Sequence, residues 1–76
     1  MTTPGERVGA LKSMTATTAV LFGYGVYEGD FVHPTLGFPN PRIKLDNGGT
    51  VWGCECWWGP EESVNGTIGD RQVELV

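Results

Sequence analysis

Residues 41–60 read PRIKLDNGGTVWGCECWWGP and contain both cysteines and all three tryptophans of the 76-residue chain. Apolar and polar residues alternate on either side of Asn47-Gly48-Gly49. A tight hairpin turn requires positive φ angles, which glycine adopts freely and asparagine tolerates. The stretch therefore predicts a β-hairpin, with one strand over residues 42–46 and a second over residues 50–58.

The length of the turn decides which side chains of this hairpin share a face, since successive residues of a strand point to opposite sides. With an even loop, Ile43 lies opposite Trp52. One face then collects Ile43, Leu45, Trp52, Cys54, Cys56 and Trp58. With a three-residue loop and Gly49 as a bulge, the apolar residues of the first strand instead join Val51 and Trp57. The even loop separates apolar from charged residues better, so we predict that Trp52 and Trp58 are core residues.

Residue patterns on the N-terminal side of the hairpin predict further strands. Residues 19–27, AVLFGYGVY, alternate at period two, which is typical of a half-buried strand. Residues 6–13 are compatible with a helix or a strand, and the β character of the rest of the chain favours a strand. Residues 28–30, EGD, predict a turn. The loop that follows contains three prolines and exposes Leu36 and Phe38, unless they fold back onto the core.

The segment after the hairpin predicts a short helix and a last strand. Pro60 suits the first helical position, two glutamates follow it, and Gly66 or Gly69 would end the helix. The elements together predict a mainly β fold, namely a small, partly open SH3-like β-barrel with one short helix after the central hairpin. The domain is expected to cover residues 6–76, behind a flexible N-terminus over residues 1–5.

Charge, hydropathy and cysteine content narrow the classes of function. The net charge is −4 and no basic run occurs, so binding to double-stranded nucleic acid through its phosphates is not expected. No apolar stretch of about 18 residues occurs, so no membrane partner is expected, and the N-terminus lacks the pattern of a signal peptide. Cys54 and Cys56 are one residue apart, at the edge of disulfide geometry in a strand. Reduced thiols and a cytoplasmic location are therefore expected.

Three segments carry a resemblance to a group of known sequences: residues 21–30 (LFGYGVYEGD), residues 40–46 (NPRIKLD) and residues 51–61 (VWGCECWWGPE). They are similar to a family of small uncharacterised proteins from bacterial and bacteriophage genomes. The resemblance covers roughly two thirds of the chain, and its tryptophan-rich segment is the most distinctive part. It implies a compact cytoplasmic protein, of a kind that a phage can encode, and it implies no particular activity.

Trp57 is the main candidate for a partner-binding residue. Because Trp57 and Trp58 are adjacent, one of them faces away from the core in an extended chain, and Trp57 stays exposed unless the short helix covers it. An exposed aromatic beside carboxylates is a suitable anchor for a partner protein. The candidate partner-binding residues are Trp57, Glu55, Phe38, Leu36 and Tyr27. The expected partner is another protein or a second copy of the chain.

A pair of glycines offers an alternative site. Gly23 and Gly25 share one face of the predicted strand over residues 19–27. They either let the strand bend sharply beneath an aromatic side chain, or form the floor of a groove for a small ligand or nucleotide. The bend explains the pair without any ligand and is the preferred interpretation.

A metal site is the second alternative. Cys54, Cys56 and His33 could bind a metal ion, but a closed zinc site needs four ligands and usually has wider cysteine spacing. Both cysteines are better explained as small apolar residues packed between Trp52 and Trp58. No cofactor is therefore expected. The sequence also lacks a recognisable nucleophile motif, and so small a chain leaves little room for a deep pocket, so a non-enzymatic protein is expected.

Overall fold

The computed structural model describes residues 2–76. Its elements are β1 (Arg7–Met14), β2 (Thr18–Val32), β3 (Pro39–Leu45), β4 (Thr50–Trp52), a 3-10 turn (Gly53–Glu55), β5 (Trp57–Pro60), α1 (Glu61–Ile68) and β6 (Gln72–Leu75). Within residues 2–76, no helix has the length and apolar character needed to cross a membrane. The predictions of a mainly β fold and of a strand near residues 6–13 are confirmed.

The strands form one sheet in the order β4-β3-β2-β1-β5, and these five strands are antiparallel. The sheet is not closed, because β4 and β5 lie at its two ends. The 3-10 turn lies between these two strands in the chain. β6 pairs in parallel with β2 over Thr18–Leu21. β3 pairs with the later part of β2, from Gly25 onward. β2 is therefore the strand to which β1, β3 and β6 are all attached.

β2 is longer than predicted because its glycines form bulges. The turn expected at residues 28–30 is wrong: β2 continues through this segment, and Gly29 has a φ of +115° where the pairing with β3 skips one residue. A second irregularity occurs at Gly23, which has a φ of +138°. There β1 pairs Ala10 with Gly23 but Leu11 with Leu21, which leaves Phe22 as an extra residue. Glycine tolerates such positive φ angles, so the strand bends and continues.

The apolar core consists of two clusters on opposite faces of the sheet. The inner cluster contains Val8, Ala10, Tyr27, Ile43, Leu45 and Val51, with Phe22, Cys56 and Trp58 packed against it. The helix cluster contains Leu11, Ala19, Leu21, Val64 and Ile68, with Tyr24 packed against it. Ala10 and Leu11 are consecutive in β1 and therefore point to opposite faces. One strand thus contributes to both clusters.

α1 covers the helix cluster and begins one residue later than the sequence indicates, at Glu61. Pro60 precedes the first turn, which carries Glu61 and Glu62, and the helix ends at Gly69. Gly69 has a φ of +56°, and its N–H donates to the carbonyl of Asn65. The other candidate for the end of the helix, Gly66, lies inside α1. Two buried side chains one turn apart, Val64 and Ile68, bind the helix to the sheet.

The register of the β3–β4 hairpin shows that the prediction of an even loop is wrong. Ile43 pairs with Val51 and not with Trp52. The backbone N–H of Leu45 donates to the carbonyl of Gly49, and three loop residues lie between them. The third of these residues, Gly48, has a φ of +94°. This glycine conformation adds one residue to the loop and shifts the pairing by one. The shift puts three buried residues of β3 and β4 on the inner cluster: Ile43, Leu45 and Val51.

The predicted second strand of the hairpin is interrupted after Trp52. The N–H of Trp52 donates to the Glu55 carboxylate at 3.0 Å, and Gly53–Glu55 form the 3-10 turn. The chain then leaves β3 and pairs with the far edge of β1, as β5. The period-two alternation across residues 50–58 therefore does not hold, because the turn resets the direction of the side chains that follow it.

Candidate interaction surfaces

The three tryptophans have three different environments. Trp58 is half-buried, packs against the inner cluster and stacks on Tyr27 with ring centroids 5.1 Å apart. Trp57 is 80% exposed, so the expectation that it faces away from Trp58 is confirmed. The core prediction is wrong for Trp52, which is only half-buried and lies outside both clusters. Its ring meets His33 edge-on, with centroids 4.8 Å apart.

Trp57 stands between two depressions at the end of the sheet. It pairs with Leu11 as the first residue of β5. A depression of about 240 Å³ lies on one side, lined by Leu11, Lys12, Ser13, Met14 and Trp57. A smaller one lies on the other side, lined by Leu11, Trp57, Trp58, Ser63, Val64 and Thr67. We call this the Trp57 surface; it is largely apolar and contains one charged side chain, Lys12.

Two of the predicted partner-binding residues have structural roles in this fold. Tyr27 is buried beneath Trp58, and its O–H donates to Asp30 at 2.7 Å. This hydrogen bond is the main reason that the pKa of Tyr27 is raised. Its assignment to a partner surface is therefore wrong. Glu55 is exposed, and its carboxylate holds the 3-10 turn through the N–H of Trp52.

The structure separates Leu36 and Phe38 from Trp57. They are 45% and 53% exposed in the loop between β2 and β3. Along β2, the pairing places Trp57 at the level of Leu21, whereas the loop follows Val32, eleven residues further along the strand. The sequence predicted one partner surface, but these residues lie at opposite ends of β2. Phe31 and Val32, exposed beside the loop, were not among the candidate residues.

The proposed metal ligands do not form a site. Among residues 2–76, no group of three or more His, Cys, Asp or Glu side chains is placed to hold a metal ion. The Nδ1 atom of His33 accepts hydrogen bonds from the N–H groups of Thr35 and Leu36. The prediction of small apolar cysteines is correct for Cys56, which packs against the inner cluster, and wrong for Cys54, which the 3-10 turn leaves exposed.

The two thiols are expected to react at very different rates. Burial, followed by the nearby charges, raises the pKa of Cys56 to about 11, so only about one thiol in a thousand is ionised at pH 8. Cys54 is exposed. In the native protein at pH 8, iodoacetamide should alkylate Cys54 first, while Cys56 reacts only on unfolding.

Mass spectrometry of Cys54→Ser and Cys56→Ser checks this result. Each variant retains one thiol, so the two rates are measured separately, and denaturant supplies the unfolded control. Equal rates in the native variants would contradict the half-buried position of Cys56.

Gly23 and Gly25 do not form a common groove. Gly25 is buried, and a Cβ atom there would collide with the carbonyl of Lys44 in β3. Its space is taken by the backbone of β3 and not by the aromatic side chain that the bend interpretation expected. Gly23 borders an open depression of about 220 Å³, which is also lined by Phe22, Leu45, Leu75 and Val76. This volume is below the range of roughly 300–1,000 Å³ that is typical of small-molecule sites.

Comparisons with known proteins leave these surfaces to be interpreted from their own chemistry. No protein-family model, no curated protein and no solved structure matches the chain.

Proposed function

We propose that the protein is a non-enzymatic interaction module that binds a partner protein through the Trp57 surface. The observation that carries this proposal is the 80% exposure of Trp57 between two depressions. A tryptophan side chain can bury 150–250 Å². Covering the exposed part of this one would contribute on the order of 3–5 kcal/mol of hydrophobic free energy, at about 25 cal/mol per Å². Tryptophan is also enriched among the residues that dominate binding energy.

The position of Trp57 at the edge of the sheet supports the same proposal. β5 is the last strand in the sheet order, so one of its edges has no neighbouring strand within residues 2–76. The chain also continues β1 past Leu11 to Met14, beyond the residues that pair with β5. A partner segment that packs on Trp57 therefore contacts an apolar surface next to accessible strand edges. This combination suits recognition of an extended chain.

We further infer that the fold belongs to the SH3-like class. The inference is supported by the sheet order, in which β1 lies between β2 and β5, and by the 3-10 turn between β4 and β5. A cytoplasmic location is part of the proposal and agrees with the two free thiols. A phage-encoded protein that binds a host protein is one form it can take.

Trp57→Ala tests the proposed function. Because the side chain is 80% exposed, the variant should keep a nearly unchanged thermal midpoint. In affinity capture from a bacterial lysate, it should lose a protein that the wild type retains. If the partner is a second copy of the chain, sedimentation should instead show a wild-type dimer that becomes a monomer in the variant.

Leu75→Ala is the matched control, since Leu75 is 70% exposed on β6, another edge strand. It should retain the captured protein or the dimer. If Trp57→Ala binds everything that the wild type binds, or if Leu75→Ala loses the same partner, the Trp57 surface is not the binding site.

A further inference from the structure

The loop between β2 and β3 forms an uncharged apolar tip. We define the tip as residues 31–39, FVHPTLGFP, which contain no Asp, Glu, Lys or Arg. Four large apolar side chains are exposed there: Phe31 (40%), Val32 (64%), Leu36 (45%) and Phe38 (53%). Exposed apolar groups concentrated in an uncharged segment indicate a contact surface.

Most backbone N–H groups of the loop within the tip, those of His33, Thr35, Leu36 and Gly37, are hydrogen-bonded inside the loop. His33 N–H donates to the carbonyl of Phe38, and Gly37 N–H donates to the carbonyl of His33. The N–H groups of Thr35 and Leu36 both donate to His33 Nδ1, at 3.0 and 3.1 Å, and Pro34 has no N–H. A loop that relies on water for these bonds would lose them in an apolar environment, at a large cost. This loop keeps four of these bonds within itself.

The apolar side chains surround the tip and do not form a single face. Phe31 and Val32 are consecutive residues of β2, so they point to opposite sides of the hairpin, and both are exposed. A groove on a partner protein would cover one side and leave the other in water. The hydrocarbon edge of a lipid bilayer surrounds an inserted hairpin tip on every side. This geometry therefore favours a bilayer over a protein partner.

Charged residues mark where the apolar region ends. Arg42 lies over the ring of Phe31 at 3.7 Å and forms an ion pair with Glu28 at 2.9 Å. Asp30 is exposed and accepts the O–H of Tyr27. These groups would lie at the level of polar headgroups if the tip were inserted. The net charge of −4 disfavours an anionic membrane, so the lipid that fits is zwitterionic.

We propose that the tip inserts into the interfacial region of a zwitterionic phospholipid bilayer. Only the side chains of the tip enter the apolar layer, and the rest of the domain stays in water. Such peripheral contact needs no membrane-spanning helix, so it does not conflict with the lack of a long apolar stretch, on which the expectation of no membrane partner was based. The proposal is independent of the Trp57 surface, which lies at the other end of β2.

Flotation with phosphatidylcholine vesicles tests this proposal. The wild type should float with the vesicles, and added salt should not release it. The double substitution Leu36→Ser/Phe38→Ser should lower the partition coefficient at least about tenfold, without a change in thermal midpoint, because both side chains are exposed. Leu75→Ser removes a more exposed apolar side chain on β6, and Trp57→Ala removes an exposed one on β5; both variants should float like the wild type.

Four results would overturn the proposal. The wild type could fail to float, or the double variant could float as well as the wild type. Binding could require anionic lipid and be lost in salt, which would indicate an electrostatic contact elsewhere on the domain. Finally, sedimentation could show that the tip holds two copies of the chain together without lipid, with the double variant monomeric, which would make the tip a protein–protein contact.

Discussion

Replacing Trp58 with alanine is expected to lower the free energy of unfolding by about 3 kcal/mol, the lower end of the range for a truncated core aromatic. The ring is half-buried, stacks on Tyr27 and packs against the inner cluster. Its Nε1 atom lies so close to Gly53 that a Cβ atom there would be 2.8 Å away. The cavity left by the substitution would therefore open between β2 and the 3-10 turn. Domains have a total stability of about 5–15 kcal/mol, so the loss is a large fraction of it.

Urea denaturation of Trp58→Ala and Trp57→Ala provides the measurement and its control. The two residues are adjacent and chemically identical, but Trp57 is 80% exposed, so its removal should change the unfolding midpoint little. The slope of the transition should remain the same if the native fold is kept. A Trp58→Ala midpoint equal to that of the wild type would mean that the ring does not contribute to the core.

Replacing Gly25 with alanine is expected to lower the free energy of unfolding by at least about 3 kcal/mol, the upper end of the usual range for overpacking. The added methyl group would collide with the carbonyl of Lys44 and lie 2.8 Å from the Cα atom of Leu45. Both neighbours belong to the backbone of β3, so no side-chain rotation can relieve the clash. β2 and β3 would have to separate, and Leu45 would move out of the inner cluster.

Gly59→Ala is the matched control for this substitution. Gly59 also lies in a strand, and a Cβ atom there would have nothing within 4 Å. Its thermal midpoint should stay near that of the wild type or rise slightly, because alanine reduces the conformational entropy of the unfolded chain. Cooperative unfolding of Gly25→Ala at the wild-type midpoint would show that β3 does not pack as closely on β2 as described.

Local sequence signals predicted the elements that depend on local chemistry. The helix start, predicted to within one residue, follows from Pro60 and the two glutamates after it. The opposite directions of Trp57 and Trp58 follow from their adjacency, since consecutive strand residues diverge. Neither prediction required knowledge of which strands meet.

The wrong predictions concern choices that the local sequence leaves open. The turn can form either a two-residue loop, Asn47-Gly48, or a three-residue loop that includes Asp46. The structure has the three-residue loop, and this sets the register. Gly29 has turn neighbours in the sequence, yet it serves as a bulge because β3 pairs with β2 on both sides of it. Both outcomes are decided by contacts with distant strands.

The separation of the candidate surfaces has the same origin. Trp57 lies near Met14 because β5 pairs with β1, a partner more than forty positions earlier in the chain. The sequence contains no signal for this pairing. A pattern of neighbouring residues does not show which distant segment pairs with β1. The sequence left open whether Leu36 and Phe38 are exposed or fold back onto the core; they are exposed, and the sequence could not place their loop at the other end of β2.

The attachment of three strands to β2 sets an order for the assembly of the chain. The β1–β2 and β2–β3 hairpins join neighbouring segments, so each closes a short loop at low entropic cost. The pairing of Leu11 with Trp57 joins residues 46 positions apart, and that of Thr18 with Gln72 joins residues still further apart. Folding rates fall as contacts become less local. β5, α1 and β6 therefore dock late, onto a three-stranded template, and folding on the millisecond scale or slower follows from the topology.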